Sequence, residues 1–406
     1  MLLRKSPEVK RVKVKKDSAC QPLIEKLLQN RLSLAGLEQF RRKVTADDLS
    51  DIIQRIYDLN EKYILELSAV EGYLHKMNEL KNAQRNKRFY KKIKNEFRDA
   101  KQNGNKKIIL AEGDSWFNYP IILTDLIDRI IMEKDFAVYS VAAGGDWLLN
   151  MLSARQYIEE LSLLHPDVFL ISGGGNDLVG SSRLAAMLEP LGKCEEFSHC
   201  ELAMYLIENA NAAVSLNRTK FDNGVQYLSK DFFALLMFFH LQYYFLMSGI
   251  LRNASKEGDK FYPIKIITQG YDYPIPSFNA SYGWNPFLWY VPFIRNNLGH
   301  GGWLKKPMLM RGVTRQQDQE DIVYAMIYLF NEMMIHMGKI LNEQYGQHVF
   351  HVDSRGSVGK GGWADELHPR PEHFIKTGEV FIHCINESIQ PTYPGVFVVN
   401  KIFPAK

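Results

Sequence analysis

Residues 107–116 read Lys-Ile-Ile-Leu-Ala-Glu-Gly-Asp-Ser-Trp. The apolar run Ile108, Ile109, Leu110 closes on Gly113, the pattern of a buried strand that ends in a turn. Ser115 follows that turn at once, and Pro120 opens an apolar segment over 121–131 with helical spacing. A serine between a strand and a helix stands at the carboxyl edge of a sheet, close to the N–H groups of a helix start. Open α/β sheets bind ligands and hold anions there. The same residue could instead do no more than cap the next helix. Segments elsewhere in the chain distinguish the two.

The strand-then-turn pattern recurs downstream. Further strands are predicted over 137–142, 167–172, 264–269 and 348–352, and helices over 123–133, 147–161, about 317–345 and 371–388. A long, mainly helical insertion fills 178–260. Strands joined by helical crossovers predict an α/β fold, a flavodoxin-like three-layer α/β/α arrangement with a five-stranded parallel sheet. That domain occupies 105–390 and leaves 391–406 as a C-terminal tail. Upstream, 21–104 reads as an all-helical N-terminal region, with the amphipathic face Leu49, Ile52, Ile53, Ile56 and Leu59 behind Thr45. Residues 1–20 form a basic flexible tail, and Gln102-Asn-Gly-Asn105 is the boundary before the sheet.

The chain has 406 residues, 46% apolar and 24% charged, enough for a sizeable core. Its net charge of +4 is unevenly spread: residues 1–106 hold 25 Lys/Arg against 14 Asp/Glu (+11), leaving 25 against 32 (−7) for the rest. A polyanion or other partner would therefore meet the basic front first. Within it, 81–101 interleave Lys81, Arg85, Lys87, Arg88, Lys91, Lys92, Lys94, Arg98 and Lys101 with Phe89, Tyr90 and Phe97. Such a run is either a solvated helix face with its rings packed inward or a nucleic-acid contact. Four cysteines, Cys20, Cys194, Cys200 and Cys384, do not make a disulfide framework in so long a chain. With no apolar leader after Met1, a cytoplasmic location is expected. Phe232–Leu251, twenty residues without a charge, has the length of a membrane span. It falls between strands of one sheet, which a crossing would separate, so a buried helix and no transmembrane span is expected.

Four segments fall at the carboxyl ends of predicted strands: Gly113-Asp114-Ser115-Trp116, Ala143-Gly144-Gly145-Asp146, Gly173-Gly174-Gly175-Asn176-Asp177, and Ala364-Asp365-Glu366-Leu367-His368-Pro369. In a parallel sheet these ends share one rim. Their chemical types are those of acyl transfer. A serine hydroxyl is a poor nucleophile without a base within reach, which His368 can be. Asp365, three positions earlier, can meet the other ring nitrogen, fix the tautomer and stabilise the imidazolium. The oxyanion of a tetrahedral intermediate needs donors, and the N–H of Ser115, the N–H of Gly145 and the side-chain amide of Asn176 can supply them. Adjacent Gly144 could replace Gly145.

These segments resemble the blocks of the SGNH, or GDSL-type, hydrolase superfamily: Gly113-Asp114-Ser115, with Trp116 where many members have Leu; Gly145-Asp146; Gly174-Gly175-Asn176-Asp177; and Asp365 with His368. The resemblance covers roughly 105–390 and fits the insertion poorly. It implies a flavodoxin-like fold, no metal or cofactor, and ester hydrolysis through an acyl-enzyme on Ser115, as in a carbohydrate O-deacetylase or a lipase-like acylhydrolase. A rival from another class is an interaction module, whose basic helices bind a partner or polyanion while the sheet is a scaffold.

An aromatic loop over 271–310, carrying Tyr271, Tyr273, Trp284, Trp289 and Trp303, follows the fourth strand at the same rim and is expected to wall the pocket. Trp116, Tyr271 and Tyr273 are its candidate contacts with a small-molecule or glycan ester, although for Trp116 packing beneath its turn is favoured over stacking on a substrate. Cys194, His199 and Cys200, and His348 with His351, have metal-like residue types at spacings that favour a structural role.

Overall fold

The computed structural model describes residues 20–56, 61–97, 106–119, 124–190, 194–210, 213–253, 264–278 and 302–404. Residues 1–19 of the basic tail, the boundary at 102–105 and the middle of the aromatic loop, with Trp284 and Trp289, lie outside the described residues.

Strands β1 (Lys107–Gly113), β2 (Phe136–Ser140), β3 (Val168–Ser172), β4 (Lys265–Gln269), β5 (Val349–Asp353) and β6 (Val396–Val398) form one sheet in the order β2-β1-β3-β4-β5-β6. All neighbours are parallel. The first five places follow the doubly wound flavodoxin-like order, whose direction reverses between β1 and β3. β3 is buried along its whole length and β1 over its last five residues, as a sheet covered on both faces requires. Helices Leu126–Ile131 and Pro371–Asn386 pack together over the sheet. Helices Leu148–Ala154, Gln156–Leu164, Lys230–Asn253 and Gln316–Tyr345 build the other wall of the core.

Three expectations need correction. The sheet has six strands, not five, because part of the expected tail over 391–406 pairs with β5 at His351↔Val396 and Asp353↔Val398. Three residues are too few to leave a periodicity, yet Val396, Phe397 and Val398 are all buried. The helix expected over 147–161 is two helices, broken at Arg155, whose φ of +50° ends the first. The helix expected over 123–133 is shorter, Leu126–Ile131, and starts on a capping box in which Asp125 accepts from the Asp128 N–H. Helix Lys230–Asn253 is long and apolar enough to cross a membrane, but 89% of its most apolar window is buried inside the fold. It packs between Gln316–Tyr345 and the N-terminal helices Gln21–Leu28, Leu34–Lys43 and Ala46–Ile56, which share the core of the sheet.

The helix Glu61–Glu96 lies along β2, the strand at the sheet's edge. An edge strand presents unpaired peptide groups, and here side chains take them up. Asn86 accepts from the Ser140 N–H (2.9 Å) and donates to the Ser140 carbonyl (3.0 Å). Asn82 donates to the Ala142 carbonyl (2.8 Å), and Asn78 exchanges two hydrogen bonds with Gly144. Four helical residues advance about 6.0 Å and two strand residues about 6.6 Å, so asparagines four apart match strand residues two apart. Three cations of the basic run on this helix are also engaged. Arg85 pairs with Asp125 and Asp128 (both 2.6 Å), Lys81 with Asp125 (2.6 Å), and Lys92 donates to the Glu133 and Phe136 carbonyls. Phe89 and Phe97 pack against Ala137, the inward arrangement of the rings, while Tyr90 is exposed.

Candidate active site

The carboxyl ends of β1 and β3 carry the turns that hold Ser115 and Asn176, and the loop beyond β5 carries Asp365 and His368. Asp114 shapes the first turn: its carboxylate accepts from the Trp116 N–H (3.0 Å), and its carbonyl accepts from Phe117 and Asn118. Burial raises the Asp114 pKa, against which work its hydrogen bonds from Tyr271, Trp116 and Ser172. Tyr271 thereby ties the loop after β4 to the turn after β1, and its hydroxyl also accepts from the Gly175 N–H (3.3 Å).

Ser115 Oγ lies 2.6 Å from His368 Nε2. His368 Nδ1 is 2.9 Å from both carboxylate oxygens of Asp365, so an Nδ1–H donates to the aspartate and leaves Nε2 to accept the serine proton. Asp365 accepts in addition from the Leu367 and His368 N–H groups (2.7 and 2.8 Å) and from the Tyr119 hydroxyl (3.1 Å). Asp365 and His368 are both buried, while Ser115 is partly exposed to solvent. The structure thus brings Ser115, His368 and Asp365 into one hydrogen-bonded chain.

Of the residues expected to supply oxyanion donors, Ser115 and Asn176 line one cavity, and Gly145 does not line it. The Asn176 amide is oriented by donation to the Asp146 carbonyl (2.9 Å). Of the two adjacent glycines, Gly144 is buried and its N–H already donates to Asn78 (3.1 Å). Gly145 is exposed at φ +87°, and its N–H donates to no group among the described residues. Asp177 does not face the cavity: it accepts from the Leu148 N–H (2.8 Å) and caps that helix, and burial pushes its carboxyl up to about 6.

Two of the three aromatic contacts expected from the sequence reach the cavity. Trp116 and Tyr271 line it, packed edge to face at 5.4 Å, and Trp116 also packs on Phe374. Tyr273 does not line it and stacks on Tyr324 at 4.7 Å. His351 is buried in the sheet between Thr268 and Asn331, and the four cysteines form no disulfide.

The rest of the site carries no sequence signal. Tyr119 packs edge-on against the His368 ring at 4.4 Å besides holding Asp365. Glu366, between the aspartate and the histidine, accepts from the N–H groups of Ser277, Trp303, Leu304 and Lys305. It fastens both flanks of the aromatic loop beside His368. Asp272 accepts from the N–H groups of Tyr273, Gly356 and Val358, and burial pushes its carboxyl up to about 6. Apolar side chains also line this cavity, among them Leu178, Val179, Leu304, Val323, Met326 and Ile327. Three of these come from the helix Gln316–Tyr345, whose apolar spacing carries no mark of a place at the site.

No protein-family model matches the sequence, and no curated protein sequence matches it. The chain is similar in structure to a protein described as a GDSL-like lipase from Parabacteroides merdae (10% identity, 70% of this chain and 97% of that one, TM-score 0.30). It is similar to phospholipase A1 from Streptomyces albidoflavus NA297 (10% identity, 67% and 98%, TM-score 0.31). It is likewise similar to an extracellular lipase from Streptomyces rimosus (10% identity, 64% and 86%, TM-score 0.28).

Proposed function

We propose that this chain is a serine ester hydrolase of SGNH type that works through an acyl-enzyme. The observation that carries the reading is the relay from Ser115 Oγ to His368 Nε2 (2.6 Å) and from His368 Nδ1 to Asp365 (2.9 Å) at the rim of a parallel sheet. Ser115 Oγ attacks the acyl carbonyl as its proton passes to His368 Nε2, and Asp365 stabilises the imidazolium. The Ser115 and Gly145 N–H groups and the Asn176 amide receive the developing oxyanion. His368 then protonates the leaving alcohol, and a water activated by the same nitrogen clears the acyl-enzyme. No step needs a cofactor.

The apolar lining from Leu178 to Ile327 favours an acyl chain longer than acetyl, and so a lipase-like acylhydrolase over a carbohydrate deacetylase. Turnover of p-nitrophenyl butyrate should fall by at least about 10³-fold in Ser115→Ala while the circular dichroism spectrum is unchanged. Wild-type turnover in that variant rules out the nucleophile. Across p-nitrophenyl esters, kcat/KM should rise from acetyl to hexanoyl; a maximum at acetyl rules out the longer acyl group.

A further inference from the structure

The hydrogen bonding of β2 continues beyond Ser140. The Val141 N–H donates to the Ala111 carbonyl (2.9 Å) and the Ala143 N–H to the Gly113 carbonyl (2.8 Å). Odd-numbered residues therefore keep facing β1, while the peptide groups of 140, 142 and 144 face the outer edge and meet the asparagines of helix Glu61–Glu96. The register of the two strands, with Ser140 beside Ala111, and the bond from Ala143 to Gly113 bring the 143–146 turn alongside the turn that holds Ser115. A turn closes at this point, with the Asp146 N–H donating to the Ala143 carbonyl (3.0 Å) and Gly145 at φ +87°. That is the third position of a type II turn, which favours glycine.

Asn78 grips this turn from outside. Its carbonyl oxygen accepts from the Gly144 N–H (3.1 Å) and its amide donates to the Gly144 carbonyl (3.0 Å), in a position only 7% exposed. Gly144 is thereby fixed at both polar groups, whereas the Gly145 N–H next to it donates to no group among the described residues. One residue further on, the Asp146 carbonyl holds the Asn176 amide. Two of the three oxyanion donors thus hang from a turn that one side chain clamps.

We infer that Asn78 is a positioning residue for the oxyanion hole, acting through Gly144 on Gly145 and Asn176. The inference rests on the acyl-transfer reading above. It makes a helix outside the sheet domain part of what aligns the reacting groups, because a donor displaced from the oxyanion loses most of its effect.

The ladder contains its own control. Asn86 makes the same pair of hydrogen bonds, to Ser140, on the same helix and strand edge but further from the turn. A purely structural role predicts equal consequences for the two asparagines. A positioning role predicts that Asn78→Ala lowers kcat on p-nitrophenyl butyrate about tenfold to a hundredfold with KM within twofold, while Asn86→Ala stays within about twofold in both. The rate of covalent inactivation by diethyl p-nitrophenyl phosphate, whose tetrahedral adduct places an oxygen in the hole, should fall in parallel for Asn78→Ala alone. An unchanged kcat and inactivation rate in Asn78→Ala, or an equal loss in Asn86→Ala, overturns the inference. If Asn78→Ala does not fold, Asn78→Asp decides. It keeps the size and an acceptor for the Gly144 N–H but opposes the Gly144 carbonyl. A kcat about tenfold lower supports the role, and a wild-type kcat ends it. Ser115→Ala is run alongside: activity surviving there removes the acyl-transfer reading, and this inference with it.

Discussion

A hydroxyl, an imidazole and a carboxylate can stand in line without being useful, so what surrounds them at the residue scale matters. Asp365 accepts from two backbone N–H groups and from Tyr119 in addition to His368, which fixes both its oxygens. Tyr119→Phe keeps the ring against His368 and removes only the hydroxyl donor. We expect kcat about two- to tenfold lower with an unchanged KM, and an unaltered kcat would show that the backbone donors suffice. Asn176→Ala removes a donor from the developing charge itself, and kcat should fall about 10²-fold or more. A loss under threefold would remove that side chain from the hole. Ser115, Asp365, His368 and Asn176 were legible in the sequence because each sits in a short block just after a strand or in the loop beyond β5. Tyr119 and Asn78 were not, since tyrosine and asparagine are common on any surface. Nothing in their spacing says that they will meet Asp365 and Gly144.

At the scale of elements, the same contrast separates the sheet from the helix on its edge. Strands β1 to β5 announce themselves as apolar runs because both faces of a parallel sheet are covered. β6 and the asparagine ladder leave no such mark. The cations of helix Glu61–Glu96 read as a solvated face or a polyanion contact because their partners, Asp125 and Asp128, lie 40 and 43 positions from Arg85. Arg85 is buried and also donates to the Phe117 carbonyl (2.9 Å), two residues after Ser115. Removing it strands a fully buried Asp125, for which Lys81 at 2.6 Å compensates only in part. Arg85→Ala should therefore cost about 3 kcal/mol in urea unfolding, the lower end for breaking a buried pair. Arg88→Ala, exposed on the same helix, should cost under about 0.5 kcal/mol. Equal losses in the two would mean that the helix is not locked to the sheet by its buried ion pairs.

Over the whole molecule, buried titratable groups decide how stability follows pH, and they pull in opposite directions. Asp177 and Asp272 are pushed up to about 6 by burial, so the folded chain holds protons that the unfolded chain has released. Each therefore adds stability as pH falls through that range. His351 does the reverse. Burial, opposed by nearby Asp353, brings it down to about 4, with Thr268 at one ring nitrogen (2.8 Å) and Asn331 at the other (3.2 Å). Between its ordinary value of 6.5 and about 4 the unfolded chain binds a proton that the folded chain refuses, so stability is lost as pH falls. At about 1.4 kcal/mol per pH unit of separation, the loss contributed by this residue between pH 7 and pH 4.5 is about 2 kcal/mol. The carboxylates act on wild type and variant alike, so a difference isolates the ring. His351→Gln keeps a polar group facing Thr268 and Asn331 but cannot titrate. It should be less stable than wild type at pH 7, yet lose about 2 kcal/mol less on acidification to pH 4.5, as measured by urea unfolding at both values. Parallel losses in the two proteins would mean that the buried imidazole carries no linkage and that the acid sensitivity of the fold resides in other groups.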